Sequence, residues 1–184
     1  ALQSGAVPPD RLSAGLRRVS YPSPALQTHT RPAAAVRHAL ANPTGGRAPL
    51  SALLKPGMKL TIAFDDISLP LPPMKRPDIR QRVIEAVLEL AAAAGVDDVV
   101  LIAALALHRR MTEDELRHAV GDRVYDAFAS QGLLYNHAAE DPNNLLYIGT
   151  PHQGAELELN QHPPPSRLLL SATHNLAHSA APGH

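Results

Sequence analysis

The sequence of 184 residues contains no cysteine. This absence excludes disulfides, thiolate metal ligands and cysteine nucleophiles, so a metal would have to be bound by His, Asp or Glu. It also fits a reducing compartment, and we expect a cytoplasmic protein. Lys plus Arg and Asp plus Glu both number 17, which leaves no basic surplus for binding a phosphate backbone. Nucleic acid is therefore not an expected partner.

Long apolar segments are also missing from the sequence. No stretch approaches the roughly 18 consecutive apolar residues of a membrane span, and no basic segment followed by an apolar run opens the chain. A membrane is not an expected partner either. The 18 prolines concentrate in residues 8–49, 70–77 and 163–165, which marks loops and boundaries. We expect a loose arm over residues 1–30, one α/β domain over 31–170 and an irregular tail over 171–184.

The central part of the chain has the pattern of a βαβ unit. Residues 60–64 form a short apolar run typical of a buried strand, and residues 99–106 form a second one. Between them, apolar residues recur at three- and four-residue spacing over residues 77–94, which predicts a helix ended by Gly95. A strand, a helix and a strand in this order predict two parallel strands with a right-handed crossover. The expected fold is α/β with a mainly parallel, Rossmann-like sheet and flanking helices.

Charged and titratable residues follow both predicted strands. Asp65 and Asp66 come directly after the first strand, and His108 follows the second. Because the carboxyl ends of parallel strands share one edge of a sheet, where ligands of open α/β sheets bind, we expect these side chains to meet. Aspartate after a strand also begins many turns. From spacing alone, His108 has a second interpretation as an ordinary surface residue.

The remaining elements are predicted from caps and alternation. Thr112 to Glu115 has the form of a capping box, which predicts a helix that runs to Val120 and ends at Gly121. A small hairpin is expected over residues 145–159, since apolar segments flank a glycine-bearing turn. Two short helices are predicted, one capped by Thr30 with Pro32 in its first turn and one opened by Pro49. A further helical piece is expected around 124–128, an edge strand at 16–21, and strands at 133–135 and 168–172.

Several segments resemble the N-terminal domain of the nickel-dependent lactate racemase family. The most specific match is Leu-His-Arg-Arg-Met-Thr-Glu-Asp-Glu-Leu at residues 107–116, which resembles the family's Thr-His-Arg-Pro-Met-Thr-Glu-Glu-Glu-Leu. Residues 64–70 are similar to the family's Asp-x-Thr-Arg-Pro loop. The likeness covers roughly residues 30–170, and the segments that continue it in the family's order are 41–43, 55–57, 136–137 and 146–154.

The resemblance implies a racemase that moves a hydride from a 2-hydroxy acid onto a nickel pincer nucleotide and returns it to either face. His108 would be the first of two histidines that exchange a proton with the substrate hydroxyl, a role that suits an imidazole. His178 is the best positional match for the second, and His174 is a poorer one. Asp65, Asp66 and Ser68 fall in the loop that lines the family's cofactor and substrate pocket. No metal ligand is assigned to this chain.

The sequence departs from the family pattern at two places. The loop arginine that the family offers to the substrate carboxylate is Leu69 here, so a bidentate clamp is missing at that position. The sequence also ends at His184, before the family's cofactor-binding lysine, nickel-ligating histidine and C-terminal domain. We therefore expect this polypeptide to need a partner domain, or to form a homo-oligomer, before it can complete the reaction.

Two other functions compete with the racemase interpretation. The first is a non-catalytic binding or assembly module that keeps the sheet edge as a ligand pocket and pairs with another domain. The second is a magnesium-dependent phosphoryl-transfer protein that uses Asp65 and Asp66. This second alternative lacks the Asp-x-Asp spacing and the lysine-bearing strand that such proteins show.

Overall fold

The computed structural model describes residues 30–67, 74–149, 157–160 and 167–173. The chain divides into two units, Ala1–Thr30 and Arg31–His184, and the architecture given below is that of the second unit. The edge strand expected at residues 16–21 lies outside the described residues. None of the helices in the described ranges is long and apolar enough to cross a membrane.

The described ranges contain helices interspersed with strands, and the strand, helix and strand of the central βαβ unit follow one another as predicted. Their bounds in chain order are α1 Pro32–Ala41, α2 Leu50–Leu53, β1 Lys59–Asp65, α3 Ile79–Ala93, β2 Asp98–Ala104, α4 Glu113–Val120, α5 Asp122–Ala129, β3 Leu134–Asn136, β4 Leu145–Gly149, β5 Leu157–Asn160 and β6 Leu168–Ala172. A short 3-10 helix, Pro142–Asn144, precedes β4.

Four of the strands form a parallel sheet in the order β3-β2-β1-β6. Strands β1 and β2 run side by side from Lys59 opposite Asp98 to Asp65 opposite Ala104. Strand β6 pairs with the other edge of β1 in the same direction. The predicted parallel βαβ unit and the mainly parallel α/β fold are therefore confirmed. The two strands of the predicted hairpin, β4 and β5, pair antiparallel, and the connection between them lies outside the described residues.

One face of the sheet carries the hydrophobic core. Alternate residues of β1 and β2 pack with the inner faces of α3, α4 and α5, because side chains alternate along a strand. The buried members from these elements are Leu60, Ile62, Phe64, Val99, Leu101, Ala103, Ile84, Val87, Ala91, Leu116, Ala119, Val120 and Val124. Each buried aliphatic or aromatic side chain contributes about 1.5–3 kcal/mol, so the carboxyl ends of β1 and β2 are firmly anchored.

Strand β2 ends two residues earlier than predicted. The apolar run continues to Ala106, but the strand stops at Ala104 and the chain turns, with the His108 amide donating to the Leu105 carbonyl at 2.9 Å. Ala106 has a φ of 50°, a left-handed conformation that costs a non-glycine residue about 1–2 kcal/mol. This turn returns the chain across the edge of the sheet and places His108 there.

The helix caps agree with the sequence at α4 and disagree at α1. The capping box of α4 is complete, because Thr112 accepts from the Glu115 amide and Glu115 accepts from the Thr112 amide. Gly121 ends this helix at a φ of 84°. At α1 the N-cap is Arg31 and no side chain caps the helix, so the prediction of a Thr30 cap is wrong. Proline at the first helical position sets the start of α1 without help from a side-chain acceptor.

The carboxyl end of the described chain is strand β6. It runs to Ala172, two residues into the segment predicted as tail, because main-chain pairing with β1 continues to Phe64 opposite Ala172. The domain limits proposed at residues 30 and 170 stay predictions.

Candidate functional site

The predicted meeting of Asp66 and His108 occurs at the carboxyl edge of the sheet. His108 Nδ1 lies 2.9 Å from Asp66 Oδ2. The Asp66 side chain is only 5% exposed, whereas the His108 side chain is 47% exposed. Since a carboxylate oxygen accepts, Nδ1 is the ring nitrogen that donates to Asp66. The pair has the form of a histidine oriented by a buried carboxylate.

Arg80 holds the backbone beneath this pair. Its guanidinium donates to the carbonyl oxygens of Asp65 and Asp66 at 3.1 and 3.0 Å. The same group forms a two-pronged ion pair with Asp78, at 3.0 and 2.7 Å, and both side chains are almost fully buried. Asp78 also caps α3 by accepting from the Arg80 amide. The end of β1 is therefore tied to the start of α3 through one arginine.

An open cleft of about 470 Å³ lies beside His108. Its walls are residues 106–110, which follow β2, and residues 137–142, which follow β3. Both walls begin at the carboxyl ends of neighbouring strands, which is where ligands of open α/β sheets bind. The cleft is large enough for a small organic molecule.

His137 shares this cleft with His108. Its backbone amide donates to the Ala103 carbonyl at 3.0 Å where β3 ends. Its Nδ1 is buried and has no hydrogen-bond partner among the residues the structure describes. A buried polar atom without a partner calls for a ligand, a water or a catalytic role. The sequence predicted a strand at residues 133–135 but not its parallel pairing with β2, which brings His137 to this edge.

Asn136 fixes the base of the cleft. Its side-chain oxygen accepts from the Met111 amide at 3.0 Å, and its side-chain nitrogen donates to the Met111 carbonyl at 2.9 Å. Both backbone groups of one residue are thus satisfied by one amide side chain. This links the wall that follows β2 to the end of β3.

Arg109 is committed to the start of α4. It makes a bidentate ion pair with Glu115, at 2.8 and 2.7 Å. That hydrogen-bonded guanidinium, helped by the Thr112 amide, lowers the pKa of Glu115 from 4.5 to about 2. The Glu115 carboxylate therefore serves both the ion pair with Arg109 and the capping box of α4.

Replacing Glu115 with glutamine should destabilise the protein only where the carboxylate is charged. The folded-state pKa of about 2 lies below the unfolded value, so the stabilisation is complete above about pH 4.5 and is lost as the pH falls toward 2. We expect a loss of about 1 kcal/mol at pH 7, since Arg109 is half exposed, and almost none at pH 2. Urea unfolding at both values measures the difference.

Glu113→Gln is the matched control, because Glu113 lies in the same first turn and is exposed. Its effect should be smaller than that of Glu115→Gln at pH 7. Equal effects of the two substitutions would assign the stabilisation to the helix dipole rather than to the Arg109 contact.

The structure describes some of the predicted site residues, and others lie outside the described ranges. Asp66 and His108 are brought together, and Asp65 lies half-buried beside them at the end of β1. Ser68 and His178 lie outside the described residues, as does His174. The assignment of Asp65, Asp66 and Ser68 to a cofactor and of His178 to catalysis stays a prediction.

A metal centre is not formed by the described residues. No group of three or more His, Asp or Glu side chains in the described ranges could hold a metal ion. The carboxylate of Asp66 is also engaged by His108 rather than open to a ligand. The described part of the chain therefore does not fit a nickel site by itself.

The fold and the site together define an α/β domain with a histidine–aspartate pair at the carboxyl edge of a parallel sheet. The family model described as "Lactate racemase N-terminal domain" matches residues 7–179. The chain belongs to this family. No curated protein matches it.

Two solved structures are similar to the chain. The apoprotein of lactate racemase from Thermoanaerobacterium thermosaccharolyticum has a TM-score of 0.60 and 22% identity, over 76% of this chain and 31% of that one. A Thermotoga maritima protein from a structural genomics programme has a TM-score of 0.45 and 15% identity, over 70% and 30% of the two chains. The first of these structures shows the shared fold. The chain spans about a third of the length of that lactate racemase.

Proposed function

We propose that this domain supplies an acid–base histidine and part of the substrate cleft of a lactate-racemase-like enzyme acting on 2-hydroxy acids. The observation that carries the proposal is the 2.9 Å contact between His108 and the buried carboxylate of Asp66, next to an open cleft. Membership of the lactate racemase family supports the substrate class. The cytoplasm is the proposed location, supported by a sequence without cysteine.

The chemistry proposed for His108 is proton transfer at the substrate hydroxyl. With Nδ1 donating to Asp66, Nε2 is the ring nitrogen that accepts the hydroxyl proton as the carbonyl forms and a hydride passes to an acceptor group. The same nitrogen returns that proton when the hydroxyl is restored. Asp66 acts as a positioning residue, because it fixes the ring orientation and stabilises the imidazolium that forms. Its depth in the protein keeps it from contacting the substrate directly.

A nickel pincer nucleotide is the cofactor that family membership suggests, and a group that accepts the hydride is needed for racemisation. The described residues do not make a site for its metal. We propose that the remaining contacts come from a partner domain or a second chain.

Substituting Asp66 with asparagine tests the proposal. The variant keeps the shape of the side chain but can present its NH₂ group to His108 and favour the wrong tautomer. We expect the racemisation rate of a chiral 2-hydroxy acid such as L-lactate to fall by about 10- to 100-fold. The measurement is the change of optical purity with time, in cells or extracts that supply nickel cofactor.

Asp97→Asn is the matched control, because Asp97 is exposed at the opposite end of β2. It should leave the rate unchanged. A rate in the Asp66 variant equal to that of the unchanged protein would reject the assigned role of the pair. Tight binding of a 2-hydroxy acid with no racemisation in any setting would instead support the non-catalytic module. No observation favours the phosphoryl-transfer alternative, since Asp66 is paired with a histidine.

A further inference from the structure

Two arginines follow His108 along the wall of the cleft, and they differ in what they contact. The Arg109 guanidinium is occupied by the bidentate contact with Glu115 and also donates to the Arg110 carbonyl at 3.1 Å. Its charge is therefore largely neutralised and its orientation is fixed. Arg109 is a structural residue of the wall.

Arg110 has no such commitment. Its side chain is exposed, lines the cleft and makes no hydrogen bond or ion pair with any other residue of the described ranges. The two hydrogen bonds from the Asn136 side chain hold the Met111 backbone, which directly follows Arg110. The Arg110 backbone is therefore fixed while its guanidinium is available. A guanidinium presents parallel N–H donors that match the two oxygens of a carboxylate.

We propose that Arg110 binds the carboxylate of the 2-hydroxy acid in the cleft beside His108. The inference rests on the proposed function and adds the residue that recognises the substrate's charged end. A 2-hydroxy acid carries its carboxylate on the carbon that bears the hydroxyl. A cation two residues from His108 on the same wall therefore suits a substrate whose hydroxyl faces the imidazole.

Acidic residues on the opposite wall set the strength of this interaction. Glu140 and Asp141 also line the cleft. The Asp141 carboxylate caps the 3-10 helix by accepting from the Asn143 amide at 3.0 Å. Glu140 is exposed, so its repulsion of an anion is screened by solvent and salt. Arg110 is the one cleft-lining arginine of the described ranges that has no carboxylate partner.

Comparing L-lactate with L-lactamide isolates the carboxylate contribution. The two molecules differ in charge at one end and share the hydroxyl. We expect the unchanged chain to prefer lactate by about tenfold, and Arg110→Gln to reduce this preference to about twofold or less. Arg110→Lys should retain part of the preference, since lysine keeps the positive charge but lacks the parallel N–H donors of the guanidinium. Chemical-shift titration of the 184-residue chain gives both dissociation constants for each variant.

Arg37→Gln on α1 is the control, because it removes an exposed arginine far along the chain from the cleft. It should leave the preference unchanged, whereas Glu140→Gln should raise it. An unchanged preference in Arg110→Gln, or no saturable lactate binding by the unchanged chain, would overturn the inference.

This result is separable from the test of the proposed function. Loss of racemisation in the Asp66 variant, with an intact lactate preference in Arg110→Gln, would leave the function standing and reject the role of Arg110. An Arg110-dependent preference without racemisation would support carboxylate recognition and reject the catalytic proposal.

Discussion

Replacing His108 with glutamine is expected to lower the rate of 2-hydroxy acid racemisation by about 10²- to 10⁴-fold. Glutamine keeps a polar side chain that can reach Asp66, but it has no group that takes up and returns a proton near neutral pH. The His108 side chain is half exposed, so the fold should tolerate the change. Initial rates starting from each enantiomer measure the loss in both directions.

His38→Gln provides the control for this substitution, because His38 is an exposed histidine on α1. Its rate should match that of the unchanged protein. Far-ultraviolet circular dichroism of both variants confirms that the sheet is intact. Racemisation that persists at the original rate after His108→Gln would remove this residue from the mechanism.

Replacing Arg80 with methionine is expected to reduce the free energy of unfolding by about 3–5 kcal/mol. The substitution leaves the fully buried carboxylate of Asp78 without its guanidinium partner. It also removes two donors from the carbonyl oxygens of Asp65 and Asp66. Methionine fills a similar volume, so the loss arises from charge and hydrogen bonding rather than from a cavity. Urea denaturation gives the value.

Arg37→Met is the matched control, since it breaks an Arg–Glu contact of 2.8 Å whose side chains are both more than half exposed. That loss should stay below about 1 kcal/mol. A second variant, Asp78→Asn with Arg80→Met, removes both charges and should recover part of the stability. If Arg80→Met and Arg37→Met reduce the free energy of unfolding by the same amount, burial does not explain the contribution of the Arg80–Asp78 pair.

The βαβ unit and the meeting of Asp66 with His108 could be predicted from the sequence. Both follow from short-range rules: residues 60–64 and 99–106 are apolar runs of strand length, and the helix between them has a clear period. Parallel pairing then follows from the crossover. Once the strands are parallel, the segments that follow them must share an edge, so the approach of these two segments needed no further information.

The contacts that hold the site could not be predicted in the same way. Arg80 has the position of an ordinary first-turn helix residue, and nothing local shows that it turns inward to two carbonyl groups. The left-handed turn at Ala106 is equally hidden, because alanine carries no preference for that conformation. These features depend on three-dimensional packing between segments that are separated in sequence. The contribution of His137 to the cleft depends on strand order, which the short β3 left open.

The double hydrogen bond between Asn136 and the backbone of Met111 has a mechanical consequence. It fastens the segment that carries the imidazole and the arginines to the strand from which the facing wall begins. The two sides of the cleft are thus joined at their base by this side chain, and we expect the base to move less than the rim when a ligand binds. Adjustment to substrates of different size is left to the outer rim, where residues 138–142 extend beyond that fastening.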